Sequence, residues 1–566
     1  MHMTVKQSVL ILYFLFQHFY ITIALSEYLG NGGNNLNYKK FLAVGSVALF
    51  GVGLFGFANG VNAASTDEAT ISKKTDTTKK AAQTVTSYQL MTKVAGSKNY
   101  TVWKNVRNGK VSTKVADAIN FRYNHIQSNQ SIKTSKYTYW LIYVDGRRVG
   151  WVNQRYFARN KISVPKTVSL VNNPNYSFNT RDAISYATDS TGTVVDNTEV
   201  TVSKDTIDCG TAGTTKVTYS YGSGSATSTV TVRKTTSEGI ADADKVTAKT
   251  GTNKLPSWVS HYGASLNYLS PTDFTAETKT HSWTSDDMTL TTRLYQPVFL
   301  SVKTDTTRDG NINRVGHIPE GVTVSDGWAY TSLLSHINLT SGHVVGYNLN
   351  KLVNPYNPQY LLTMSQSKFN TYVKNIKVSP YVPIGHGQSM GSSSKYVYLL
   401  ANDNTKVGSA ASEEIIQLNK TDLTIHKIWT IKCWNGSSAS PRYFKNAVIV
   451  NDYLMYGLYY DSTKDRYEYW RFDRTGDNWN PTIVGATSST FVGNNEPVQG
   501  FTYDSTNNNF YIAFNDLIVR LGTDGTIKKS YTFTTGREIE GISVSDNKLY
   551  ANLAQRAELL ESNSLK

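Results

Sequence analysis

The 566-residue chain has only two cysteines. Cys209 and Cys433 stand far apart, in segments of different character. Two thiols cannot supply a disulfide framework or a four-ligand zinc site, so both are read as buried thiols. Long apolar runs with helical periodicity are also scarce, which weighs against an α-helical protein. Thr, Ser, Asn and Tyr dominate, and the apolar residues alternate over short stretches. That composition predicts β-structure with turn-rich connections. The length is too great for one ordinary domain.

Acids are almost missing from one region. From Gln83 to Lys161 there are fourteen Lys or Arg against two acids, Asp117 and Asp145. Twelve of the chain's fifteen net positive charges therefore sit in one small segment. Such a concentration implies a polyanionic partner rather than mere solubility.

The N-terminal part reads as targeting sequence. Lys39-Lys40 precede an apolar run from Phe41 to Phe57, and Val61-Asn62-Ala63 fits small-x-small cleavage, so 36–64 is expected to be a secretory signal peptide. Residues 1–35 carry a second apolar stretch, Val9 to Leu25. They are expected to be a mis-annotated leader, with the true start at Leu36: a TTG codon would serve, and Gly32-Gly33 written GGAGGA would be a ribosome-binding site. Residues 65–84 read as a polar linker. No permanent membrane span is expected after cleavage. Secretion disfavours nucleic acid as the polyanion. A wall polyphosphate such as teichoic acid is the expected partner, held through Lys104, Arg107, Lys110, Arg147, Arg148, Arg155 and Arg159.

Three all-β modules are expected. In 85–161, Tyr137–Val144 alternates as a strand, Asp145-Gly146 is a two-residue turn, and Val149-Gly150-Trp151-Val152 returns. This hairpin resembles the GW or bacterial SH3-like modules of Gram-positive surface proteins, which implies an SH3-like fold and a cell-wall-binding role. In 162–235, strands recur around Val200–Val202, Lys216–Tyr221 and Thr227–Val232, the pattern of a β-sandwich. The stretch TIDCGTAGTTKVTYSY is similar to the last strands of bacterial Ig-like domains, and the module reads as a spacer.

From 245 to 566 the sequence repeats itself. Five segments share a polar residue, a short strand, a turn and a tyrosine-bearing strand: 317–332, 385–400, 442–457, 497–514 and 537–553. Their tyrosines are Tyr330, Tyr398, Tyr456, Tyr511 and Tyr550, spaced by 68, 58, 55 and 39 residues. About ten residues earlier stand Glu320, Gln388, Asn446, Gln499 and Glu540. Spacings of this size fit four-stranded blades, so a five-bladed β-propeller is predicted, with 255–300 closing the ring or adding a blade.

The second segment, GHGQSMGSSSKYVYLL, looks at first like a catalytic loop around His386. The repeat assigns His386 the same place as Ile318, Val498 and Glu538, and Ser389 the same place as Gly321, Gly500 and Gly541. No G-x-S-x-G elbow is present and no acid is placed to orient the imidazole. We therefore read Glu320, Gln388, Asn446, Gln499 and Glu540 as a ligand-binding polar ring, with His386 a neighbour that touches the ligand.

The last two repeats, EIEGISVSDNKLYANLA and VQGFTYDSTNNNFYIAF, resemble the helveticin J family of lactobacilli. That resemblance implies a class III bacteriocin-like role over residues 310–566. The basic and Ig-like modules point instead to a protein held at a wall. Glycoside hydrolysis by Glu320 and Glu540 is the enzymatic alternative, since two carboxylates flanking one funnel can act as an acid/base pair. No cofactor is expected. Asp305, Asp309 and Asn311 form a weak calcium candidate that lacks a glutamate at its twelfth position, Gly316. Trp434, Trp470 and Trp479 could stack on sugars or fill the core. The C-terminal AELLESNSLK carries no sorting motif, so attachment is expected to be non-covalent.

Overall fold

The computed structural model describes residues 83–90, 99–124, 126–144, 147–174, 176–234, 246–251, 280–296, 318–334, 340–356, 364–402, 413–434, 441–442, 444, 446–488, 498–554 and 557–566. The leader, the signal peptide, nearly all of the linker and the calcium candidate at Asp305, Asp309 and Asn311 lie outside them. The described part is all-β, with one α-helix, Gln366–Val373.

The basic module is a six-stranded sheet. Thr138–Val144 pairs antiparallel with Arg147–Asn153, as the hairpin pattern predicts, with a register shift between Ile142 and Tyr143. Arg147–Asn153 continues onto Thr101–Arg107, placing Trp103 opposite Trp151. Gly150 is required here: a Cβ on it would stand 2.6 Å from the Trp103 carbonyl oxygen.

The next module contains the expected strands. Gly213–Tyr221 and Gly224–Arg233 form a hairpin, and Thr167–Val171 pairs in parallel with the second of these. Phe178, Tyr219, Val217 and Val230 fill its interior with Cys209. The Cys209 thiol is fully buried, which pushes it up to about 12, so it is inert at neutral pH. Cys433 is buried as well.

The module expected as a spacer is joined to the large domain by strand pairing. Thr167–Val171 also pairs with Ile425–Ile431, matching Val168 with Ile428 and Ser169 with Trp429. One sheet thus runs from the Ig-like module into the large domain. Tyr176 Oη donates to buried Glu414 Oε1 at 2.5 Å across the same junction, and Ser185 Oγ accepts from the Ile425 amide. An edge strand that would otherwise expose its backbone is covered in this way.

The basic module is docked too. The helix Gln366–Val373, capped by Ser365, turns Phe369, Tyr372 and Val373 inward. Phe369 and Val373 join Phe121, Ile142 and Val152 of the basic module in one core. Asn124 Nδ2 donates to the Val373 carbonyl at 2.9 Å, and the Val378 amide donates to the Tyr123 carbonyl at 2.6 Å.

Among the described residues the large domain shows five antiparallel strand groups, called sheets below, the second and third of which are joined by parallel pairing of Ser389–Ser392 with Asn446–Asn451. Four follow in chain order, beginning at Ile318–Ser325, Ser389–Ser392, Asn446–Asn451 and Gly500–Asp504. The fifth begins at Ile539–Ser545 and continues through Lys548–Leu553 and Glu558–Ser564. Its fourth strand is Met288–Tyr295, drawn from ahead of the first sheet, followed by Ser282–Ser285. The described part of 255–300 therefore joins the beginning of the domain to its end. Buried Glu558 fastens this joint, bonding Thr292 and Arg537 and standing 3.1 Å from His281 Nδ1. The five first strands are neighbours in a closed circuit, a propeller-like arrangement. The five repeat tyrosines all lie buried on second strands, each in the core between sheets.

Candidate ligand site at the centre of the sheet ring

Small residues let the first strands approach. A Cβ on Gly321 would come within 2.4 Å of the Gly387 oxygen, on Gly391 within 2.1 Å of the Ile449 oxygen, and on Gly541 within 2.8 Å of the Glu320 oxygen. Ser389, the sequence equivalent of Gly321 and Gly541, uses its hydroxyl to accept from the Ala447 amide at 2.8 Å. The shared position is one of close packing, not chemistry.

The polar ring residues start these strands. Glu320, Asn446 and Gln499 are only 3–4% exposed and Glu540 only 7%, while Gln388 is half-buried. The structure brings several of them together. Gln388 Nε2 donates to Gln499 Oε1 at 2.6 Å, linking the second sheet to the fourth across the centre. Gln499 Nε2 donates to Glu538 Oε1 at 2.6 Å and to Asn515 Oδ1 at 3.0 Å. Asn446 Nδ2 donates to the Val498 carbonyl at 2.9 Å. Glu540 is bonded to both Glu538 and Gln388. His386 Nε2 stands 3.7 Å from Glu320 Oε2.

Glu538 was not singled out by sequence reasoning. Its signal was nonetheless present, because it is the fifth repeat's equivalent of His386. Asn515 follows a second strand and carries no comparable mark.

Burial dominates the electrostatics. It raises the Glu320 carboxyl well above the ordinary carboxylate range, and the Glu538 charge adds to this. Glu540 is raised by burial first, then by Glu320 and Glu538, partly offset by its bond to Gln388. Like charges in a poorly solvated centre favour protonation.

Outside the ring, Trp470 and Trp479 are fully buried, so they are core and offer no face to a sugar; the Trp434 side chain lies outside the described residues. In the basic module Lys104, Arg107, Lys110, Arg148, Arg155 and Arg159 are exposed. Arg147 is diverted inward: its Nη2 donates to the Met364 carbonyl at 3.0 Å and its guanidinium lies 4.3 Å from the Phe369 ring centre. Arg147 lies against the helix Gln366–Val373, which is why this cation is withdrawn from the outer surface.

Comparison with known proteins agrees with the modular reading. Residues 81–158 match the GW (Gly-Tryp) dipeptide domain, and residues 177–232 match the bacterial Ig-like domain, group 3. No curated protein sequence matches the chain. Similar solved structures include glutaminyl cyclase from Myxococcus xanthus, at 9% identity over 44% of this chain and 92% of that one, with a TM-score of 0.24. The Swd1 β-propeller domain from Myceliophteria thermophila is 13% identical over 42% of this chain and 64% of that one, with a TM-score of 0.23. BamB from Moraxella catarrhalis is 11% identical over 50% and 92%, with a TM-score of 0.20. These likenesses are distant, and the arrangement of the sheets rests on their own strand pairing. Among the described residues no helix is long and apolar enough to cross a membrane. GW domains are cell-surface binding modules, and together with the Ig-like domain this one fits a bacterial surface or cell-wall-associated protein.

Proposed function

We propose that this is a secreted surface protein of a Gram-positive bacterium, held non-covalently at the wall by its SH3-like basic module, 85–161. The module's partner is an anionic wall polymer of the teichoic-acid type. The five sheets are read as the five blades of a propeller spanning 245–566, and 162–235 as the Ig-like connection between the two. The propeller binds a surface ligand, glycan or protein, at its centre. The observation carrying this reading is the convergence of Gln388, Gln499, Glu538 and Glu540 where the first strands meet. Residues from three different blades meet there without any fold-level need for polar groups, since buried polar groups cost stability.

The test is binding of the purified chain to isolated walls, in low and in concentrated salt. High salt removes the polyanion contribution. Binding that persists in high salt and is lost in a Gln388→Ala/Gln499→Ala double variant supports the propeller site. High-salt binding indifferent to that variant removes it. Retention of wild type and variant alike by the basic module in high salt would overturn the electrostatic anchor.

Glycoside hydrolysis is the second reading, favoured by the raised carboxyls of Glu320 and Glu540. An acid with a raised pKa suits proton donation to a leaving group. Both members of this pair are raised, whereas the reaction needs one of them ionised. Reducing-sugar release abolished by Glu540→Gln would support hydrolysis. The helveticin-like role is tested by growth inhibition of related bacteria without sugar release.

A further inference from the structure

We infer that the centre of the ring takes a primary ammonium group, carried on an amino sugar or a lysyl side chain of the surface ligand; this rests on the ligand-binding reading above. The first argument is a count of donors and acceptors. Glu320 Oε2 and Asn446 Oδ1 are buried with no hydrogen-bond donor. Both residues are only 3% exposed. The glutamine amides nearby direct their N–H groups to other acceptors. Gln499 Nε2 gives its two hydrogens to Glu538 and Asn515. Gln388 gives one to Gln499 and is bonded to Glu540. In their ionised form the carboxyls offer a ligand acceptors, and the group that fits brings donors together with a positive charge that holds them ionised against burial.

The second argument is charge. Glu320, Glu538 and Glu540 act on one another electrostatically at one place. Among the described residues neither Glu320 nor Glu540 has a lysine or arginine partner. The His386 imidazole is more than half exposed and stands 3.7 Å from Glu320. A neutral hydroxyl would satisfy an acceptor and leave the repulsion in place. A cation satisfies both.

The third argument chooses between cations. Among the described residues no three His, Cys, Asp or Glu side chains converge closely enough to hold a metal ion. A metal needs ligand oxygens at about 2.0–2.6 Å. An ammonium spreads three N–H donors to acceptors at about 2.7–2.9 Å, a wider and softer arrangement.

The experiment is calorimetric titration of the full chain in concentrated salt. Four probes are used: a glucosamine trimer, its fully N-acetylated counterpart, a glycyl-lysyl-glycine tripeptide blocked at its α-amine, and the same peptide acetylated on the lysine. Calcium chloride alone is a fifth arm. At least one free amine should bind tenfold or more tightly than its acetylated partner, and the pair that does so names the source. Glu320→Gln should remove that difference while leaving the melting temperature equal or higher. Glu538→Gln, at a half-buried position, carries the same comparison if the first variant fails to fold. Equal binding of free and acetylated probes, binding of neither amine at millimolar concentration, or saturable calcium binding that excludes the amines overturns the inference. Equal binding of the acetylated trimer, lost in the Gln388→Ala/Gln499→Ala variant, would do so while leaving the ligand-binding reading intact. Loss of all high-salt wall binding dependence on that variant would instead remove the reading itself.

Discussion

His386 Nε2 stands 3.7 Å from Glu320 Oε2, so that an exposed imidazole covers an almost wholly buried carboxylate. The two come from neighbouring sheets of the ring and belong to adjacent tiers of the same repeat. Glu320 has no lysine or arginine facing it among the described residues, and the Glu538 charge adds to its raising by burial. The fold therefore holds this carboxyl at a cost in stability, as functional sites commonly do.

That cost has a pH signature. The folded-state pKa values of Glu320 and Glu540 are raised above the ordinary 4.5. Their favourable contribution is complete below that value, where both states are protonated, and is lost as pH rises through the raised folded values. The Glu538 carboxyl and the His386 imidazole face the same centre. Glutamine imitates the protonated form. Glu320→Gln should leave stability nearly unchanged at pH 4 and raise it by about 1–3 kcal/mol at pH 8, the scale of one uncompensated buried group. Melting temperatures of variant and wild type across that range check it. A difference independent of pH would show that the carboxyl is not raised.

The glycines of the first strands make a second test. A Cβ at Gly391 would meet the Ile449 oxygen at 2.1 Å, and at Gly321 the Gly387 oxygen at 2.4 Å. Both contacts are with backbone, which cannot swing aside. Gly391→Ala and Gly321→Ala should each cost about 1–3 kcal/mol by overpacking. Gly213 has nothing within 4 Å of its Cβ position, and Gly213→Ala should lie within about 0.5 kcal/mol of wild type. Denaturant unfolding measures all three, and equal costs would refute the packing role.

Local pattern carried much of this fold. The basic hairpin, the Ig-like strands and the five tyrosine-bearing strands were legible because alternation and turn residues act over neighbouring positions. The ring residues were legible because a repeat reports the same place five times. What was not legible is long-range. Nothing local in Thr167–Val171 announces that it will pair with Ile425–Ile431, since one strand offers two edges and sequence does not say which is covered. Arg147 reads as one basic residue among fourteen until Met364 and Phe369 are brought against it. Trp470 and Trp479 read equally as sugar platforms and as core until their burial is known.

The continuous sheet predicts shared unfolding. Val168 pairs with Ile428, and Tyr176 bonds Glu414 across the junction. The Ig-like module and the large domain should therefore melt together in calorimetry. Tyr176→Phe removes a donor from a buried carboxylate, at a cost of about 1–3 kcal/mol. Proline at Val168 would delete a backbone donor within the shared sheet and should split the transition in two. Two transitions in the wild type would show that the junction carries little energy.

The final prediction separates anchoring cations from structural ones. Arg107 is exposed at the turn between Thr101–Arg107 and Lys110–Asp117, paired in register with Lys110. Arg147, on the same module, spends its donors on Met364 and its flat face on Phe369. A cation contacting phosphate releases counterions, so its loss lowers the salt dependence of binding. Arg107→Ala should reduce the slope of log affinity against log salt by about 1 on a soluble polyphosphate, with the melting temperature unchanged. Arg147→Ala should leave the slope alone and lower the melting temperature, because it uncouples the module from the helix Gln366–Val373. Measured side by side, the two variants distinguish a polymer-binding surface from a docking surface on one small domain. The reverse outcome would assign the polymer to the inward face and would require the basic module to leave the large domain before it binds.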